Sequence, residues 1–468
     1  MAILDFHSRW FQLETVSFNG QPFQYYAAND ISYVTHPVAA IQRLNVFVPT
    51  AYMQANGTVN GYTAATAPIF MPNTVGGYMP GPADSPQKSD WPSNARTIIG
   101  ALKRGYVVVS AGLRGRTTTT DGQEAGHAPA FIVDLKAAIR YVRYNAAILP
   151  GNAARIITNG TSAGGATAAL AGAAGNVQDY EPFLKAIGAA DVPDDVYAVS
   201  AYCPIHNLAH ADMAYEWQFN GINDWHRFRI TPLAVGQRPK MTPITGNLST
   251  AQQAASTALK SQFIAYLNDL HLTGPAGKPL TLDATGKGAF ADEIARLIQQ
   301  SAQRAYDQGV DVHKYAGIQT MAGSVTAVDL PSYVRSLTRM KAVPAFDTFD
   351  LSSPENNLFG DETVPAKHFT AFSQAHDTAN GTQAADHLVA LTDPVSQLQA
   401  AQATVAPYWR IRHGAADRDT SFAIPLILAS LLRQQGRSVD FALPWDTPHS
   451  GDYDLNDLFD WIDRVVAR

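Results

Sequence analysis

One cysteine, Cys203, is all the thiol in this chain of 468 residues. A single thiol forbids an intrachain disulfide and rules out zinc sites built on a set of cysteines, alone or paired with histidines. A buried structural role is the expectation for it. Charge is scarce as well, at 16% of residues against roughly 25% in an average chain. There is no basic excess: 34 Lys+Arg against 40 Asp+Glu leave a net charge of −6. A phosphate backbone therefore gains no electrostatic support, and nucleic-acid binding is excluded first. Long apolar runs are missing too. The longest, Phe422 to Leu432, has 11 residues with Pro425 inside, whereas a membrane helix needs about 20. The N-terminus, Met1-Ala-Ile-Leu-Asp-Phe-His7, has no basic stretch leading into an apolar core, so no signal peptide is read. A soluble protein follows, cytoplasmic in preference to secreted.

What is present is apolar bulk, 46% of residues, in a length that suggests about three domains. Two textures alternate. Up to about residue 205, apolar runs such as Leu44–Val48, Gly105–Ser110, Arg155–Thr158 and Val196–Ser200 read as strands covered on both faces. Between two of them the spacing predicts a helix over Ile132–Tyr144, which makes a strand-helix-strand unit. From 206 to 400 the pattern is helical. One helix carries Leu259, Phe263 and Leu267, with Thr250 and Gln253 as a possible capping box. Another carries Phe290, Ile294 and Ile298 and ends before Gly309. Strands return at Tyr408–Arg412 and Val439–Leu443. An amphipathic helix from Asp454 closes the chain, with Leu455, Leu458, Phe459, Ile462 and Val466 expected inside. The expected architecture is one α/β domain, residues 1–205 and 401–468, split by a mainly helical insertion over 206–400.

The strongest local signal is Gly160-Thr-Ser-Ala-Gly164, between a strand and a helix-forming run. A serine on a sharp strand-to-helix turn needs neighbours without Cβ atoms so that the turn can close. The helix amides behind it, beginning with Ala163, would face a developing oxyanion. The bland reading is a small-residue loop. In this arrangement an acid and then a histidine follow in chain order. His449 comes after the last strand and before the closing helix, where a loop delivers a base to Ser162; His413 lies ahead of the acid, in the wrong order. For the acid, Arg412-His-Gly-Ala-Ala-Asp-Arg-Asp-Thr420 offers Asp417 and Asp419, with Asp417 preferred as the residue that orients His449. Either could instead cap the next helix. The insertion falls between serine and acid, which puts it over the site as a lid.

With these residues assembled, the chain resembles the subtype B bacterial tannases, of the lactobacillus type, over its whole length. The likeness rests on Met71–Gly81, Ile157–Gly165, Ser200–Asn207, Met340–Asp347, Ser353–Gly360 and the segments around Asp417 and His449. It implies an α/β-hydrolase fold with a large, mainly helical lid between nucleophile and acid. It also implies a triad of Ser162, Asp417 and His449, and an oxyanion hole from Gly76 and Ala163. Lys341, Glu355 and Asp419 would grip a galloyl ring, and Ile205 would line the pocket wall. The chain departs from the fungal tannases, whose disulfide ties the serine and histidine neighbourhoods, because Cys203 has no partner.

The implied grip makes chemical sense. Three adjacent phenolic hydroxyls each donate and accept, two carboxylates can accept from them, and a lysine ammonium can donate. Without the resemblance, Lys341 and Glu355 would read as a surface salt bridge. The expectation is thus an esterase for galloyl esters, acting through an acyl-enzyme with no metal or organic cofactor, as a monomer or weak homo-oligomer. The rivals are an esterase for feruloyl or other phenolic-acid esters, a peptidase with a helical lid, and an inactive binding protein on this fold.

Overall fold

The computed structural model describes residues 4–87, 92–231, 240–400 and 402–467; the first three residues of the N-terminal reading lie outside them. Nine strands form one sheet: β1 (Gln12–Phe18), β2 (Gln21–Ser32), β3 (Arg43–Pro49), β4 (Pro68–Pro72), β5 (Val107–Ala111), β6 (Asn152–Thr161), β7 (Ala198–Tyr202), β8 (Tyr408–Arg412) and β9 (Ser438–Ala442). Their order is β1-β2-β3-β5-β4-β6-β7-β8-β9. Contacts from β1 to β5 are antiparallel; from β5 onward every neighbour is parallel. The main helices are α1 (Pro92–Lys103), α2 (Ala130–Tyr144), α3 (Ala163–Ala173), α4 (Leu208–Phe219), α5 (Thr250–Asp269), α6 (Ala289–Asp307), the short α7 (Pro354–Leu358), α8 (Ala423–Gln434) and α9 (Leu455–Val466).

The period-two geometry of strands sends alternate residues to opposite faces, and here both faces are covered. Phe47, Phe70, Val108 and Ile157 pack with Ile98 and Leu102 of α1 and with Leu458, Phe459 and Ile462 of α9. Val46, Ile69, Val107, Ile156 and Val199 pack on the other side with residues of α2, α3 and α8, including Ile132, Leu170 and Ile427. That double burial is why these strands read as continuous apolar runs. The edge strand β1 and its neighbour β2 escaped the reading because they are half-exposed: β1 alternates between exposed and intermediate residues, and Leu13 is 51% exposed.

The described residues between β7 and β8 add no strand to the sheet. They hold α4 to α7 and also two hairpins, Asp224–Thr231 with Lys240–Asn247 and Ile318–Met321 with Ser324–Val328. The mainly helical expectation named neither hairpin. They lie outside the main sheet, and exposed residues such as Phe228 and Met321 leave no apolar run to announce them. One apolar core continues into this region, joining Phe263, Phe290 and Phe346 to Val199 and Trp409 of the sheet.

Helix ends mostly follow local chemistry. Gly309 sits at φ +78° beyond α6; its N–H donates to Tyr306 O at 2.9 Å and that of Val310 to Ala305 O at 3.0 Å, a Schellman end. The capping box of α5 is one residue earlier than expected. Ser249 and Gln252 form it, because Ser249 takes the extended backbone that an N-cap needs while Thr250 is already helical. On α9 the buried face is Leu458, Phe459, Trp461, Ile462 and Val465, with Leu455 and Val466 only partly covered. Among the described residues, no helix is long and apolar enough to cross a membrane.

Candidate active site

Ser162 stands between β6 and α3 with φ +61° and ψ −124°, a conformation costly for a residue with a Cβ. Its neighbours leave no choice of side chain. A Cβ on Gly160 would lie 2.2 Å from Gly164 O, and one on Gly164 would lie 2.6 Å from Val75 O. Bonds from Ser162 N to Tyr202 O (2.9 Å) and from Ile205 N to Ser162 O (3.2 Å) hold the turn against β7. Asn73 stitches a second loop to it: its amide nitrogen donates to Asn159 O and Gly164 O at 3.0 and 2.9 Å. That anchor carries Gly76 and Gly77 to the elbow. A Cβ on either glycine would meet nothing within 4 Å, so both border open space. Among the described residues, neither amide donates to a backbone acceptor. Ile205 is buried, and its carbonyl accepts from Tyr78 Oη at 2.7 Å.

His449 and Asp417, 32 residues apart, meet at 2.8 Å between Nδ1 and Oδ2. The other oxygen of Asp417 accepts from the backbone N–H of Asp419 at 2.8 Å. Burial by itself would raise the Asp417 carboxyl, but His449 and His413 beside it hold it at about 2. For His449 burial pulls downward, and the Asp417 carboxylate overrides it and raises the imidazole well above 6.5. His413, the rival histidine, is fully buried with Nδ1 3.7 Å from Asp417 Oδ2. It backs the acid. Neither Asp417 nor Asp419 caps α8; Ser421 Oγ accepts from the Ala423 N–H there at 3.2 Å and Gln218 Oε1 from the Phe422 N–H at 2.8 Å.

The alternative salt bridge between Lys341 and Glu355 is not what forms. Lys341 Nζ pairs instead with Asp419 Oδ1 at 2.7 Å and lies 3.8 Å over the Phe346 ring. Burial opposes its charge, yet Asp419 and Glu355 raise the ammonium. Glu355, in the first turn of α7, is buried without an ion pair of its own among the described residues; burial raises its carboxyl despite Lys341 nearby. Asp419 is lowered: burial would raise it, and Lys341 wins. The result is an ion pair between Lys341 and Asp419 beside a buried carboxyl, Glu355, whose pKa burial pushes up.

Sequence reasoning missed Arg116. Its Nε donates to Gly77 O and its Nη1 to Asn357 Oδ1 of α7, both at 2.9 Å, so one guanidinium joins the glycine loop to the helix bearing Glu355. Nothing local marks such a residue. Cys203 is buried as expected, but beside the histidine: Cys203, Asp417 and His449 offer ligand atoms within 4.8 Å of one another. An open cleft of about 810 Å³ lies elsewhere, between α6 and the loop that carries His449.

A family model described as BD-FAE matches residues 76–225. No curated protein matches. Among solved structures, tannase from Lactobacillus plantarum in an orthorhombic crystal is 61% identical with a TM-score of 0.97, covering 99% of this chain and 100% of its own. A tannin acyl hydrolase in complex with ethyl gallate is 61% identical with a TM-score of 0.94, covering 99% of each chain. The tannase of Fusobacterium nucleatum is 43% identical with a TM-score of 0.94 over the full length of both. Identity of this order along the whole length, on a sheet and elbow of this kind, means that the chain belongs to the tannases, carboxylic ester hydrolases of the α/β-hydrolase fold.

Proposed function

We propose that the hydrolysis of galloyl esters by this chain runs through Ser162, His449 and Asp417. His449, oriented by Asp417, takes the Ser162 proton as the hydroxyl oxygen attacks the galloyl carbonyl. The carbonyl oxygen, now negative, is held by the amides of Ala163 and the Gly76-Gly77 loop. The protonated His449 gives its proton to the departing alkoxide, and the acyl-enzyme remains. Water, deprotonated by the same imidazole, then releases gallic acid and restores Ser162. The observation that carries this reading is the 2.8 Å bond between His449 and Asp417 beside a strained serine elbow. The ethyl gallate complex of a relative points to the same substrate class.

Lys341, Asp419 and Glu355 grip the ring in this reading. The Lys341 ammonium donates to one hydroxyl, and the Asp419 and Glu355 carboxyl oxygens accept from its neighbours. Residues 206–400 act as the lid, supplying Lys341 and Glu355 from above while Ile205 forms the apolar wall. Replacing Ser162 by Ala tests the assignment. Losing a triad member costs several orders of magnitude in kcat, with about 10³–10⁴ over water surviving from the rest of the site. A folded Ser162→Ala chain that keeps more than a tenth of wild-type turnover, free of contaminating esterase, overturns it. A burst assay with a galloyl and a feruloyl ester separates this function from that of a general phenolic-acid esterase.

A further inference from the structure

We infer that the face of His449 turned towards Asp417 and Cys203 forms a binding site for a soft divalent metal ion, such as zinc or cadmium, and that occupation of this site silences the enzyme. The silencing rests on the catalytic reading of His449; the site itself does not. Thiol, carboxylate and imidazole come from three separate segments, the end of β7, the loop after β8 and the loop after β9, yet their ligand atoms lie within 4.8 Å of one another. Zinc bound to sulfur at about 2.3 Å and to nitrogen and oxygen at about 2.0–2.2 Å places its ligand atoms about 3.5 Å apart. The His449–Asp417 pair at 2.8 Å would open slightly to admit it. Cys203 and Asp417 are enclosed, while the His449 side chain is 23% exposed and gives the ion its way in.

Charge and softness both select this class of ion. A thiolate and a carboxylate neutralise a dication in a buried place, and sulfur disfavours magnesium and calcium. The Cys203 thiol, raised by burial and resting against Ser450 O at 3.3 Å, gives up its proton to solvent on binding. In the complex His449 keeps a single ring proton. If the metal takes Nδ1, that proton must sit on Nε2, which can no longer accept from Ser162. If the metal takes Nε2, the basic lone pair is occupied outright. Either way the base is lost; the thiol releases one proton per ion bound, and His449 a second wherever it starts as the imidazolium.

The test uses the intact chain, cobalt(II) and zinc chloride, with p-nitrophenyl acetate as substrate because gallates chelate metals themselves. Cobalt added to the Ser162→Ala chain is expected to give a thiolate-to-cobalt charge-transfer band at one equivalent, absent in a Cys203→Ala, Ser162→Ala double variant. Zinc is expected to lower wild-type turnover at least tenfold, reversibly with a chelator, and Cys203→Ala is expected to need at least tenfold more zinc. Absence of the band, or equal zinc sensitivity in Cys203→Ala, overturns the site. Should the cysteine variants fail to fold, the cobalt band in the Ser162→Ala chain alone decides. A band with undiminished turnover supports the site and removes His449 from catalysis, which is a failure of the catalytic reading.

Discussion

Replacing Asp417 by Asn changes one oxygen to NH2 and keeps the shape, so its effect can be worked from two hydrogen bonds. Both oxygens of Asp417 accept: one from His449 Nδ1 and one from the N–H of Asp419, each at 2.8 Å. An amide has only one acceptor oxygen. The backbone N–H of Asp419 cannot do anything but donate, and it claims that oxygen, since the other orientation sets NH2 against N–H in a buried place. The amide NH2 then faces His449, whose Nδ1 must accept, and the ring proton moves to Nε2. In that tautomer the imidazole cannot take the proton of Ser162. A wrong tautomer costs about 10⁴ in kcat, equivalent to about 5.4 kcal/mol at 1.36 kcal/mol per decade. The assay is steady-state hydrolysis of methyl gallate and p-nitrophenyl acetate by folded Asp417→Asn protein. Both rates are expected to fall alike, because the base serves every ester. A loss below tenfold, or a loss confined to gallates, would refute the argument and exchange the roles of Asp417 and Asp419.

The pH profile follows from the same pair: with the folded pKa of His449 raised above 6.5, the base is charged and idle below that value, so kcat/KM should rise with pH through an apparent pKa above 6.5. A limb at or below 6.5 contradicts it. Ring recognition predicts that methyl gallate outruns methyl benzoate by about 10⁴, since missing hydroxyls leave buried polar groups unpaired. Lys341→Ala and Glu355→Ala should flatten that ranking while sparing p-nitrophenyl acetate, and rates for the two methyl esters within tenfold in wild type would dismiss the clamp. Arg116→Ala should lower kcat on every ester about 10–100-fold through a loosened glycine loop, since displacements of about 1 Å cost up to about 10², with partial recovery in Arg116→Lys; a change in KM alone would show that the arginine does not position the loop.

The elbow was legible because its causes are local. Strand, glycine, serine, glycine and helix follow one another within a few residues, and the clashes that exclude a Cβ at Gly160 and Gly164 arise from that same turn and its Asn73 anchor. Central strands announced themselves as apolar runs since both faces are buried, whereas β1, β2 and the hairpins, half-exposed, had no such run to show. Chain order pointed to His449 and to the loop that holds Asp417 and Asp419, for the loops at one edge of a parallel sheet all open to the same side. Other features depend on contacts between distant parts of the chain. Arg116 reaches Asn357 across 241 positions, Lys341 chooses Asp419 over Glu355, and Cys203 comes to rest against the histidine. No period or spacing encodes these pairings. They arise when the sheet sets the serine and histidine loops side by side and residues 206–400 pack against them, because charge pairing and burial depend on distances that exist only after the chain has packed.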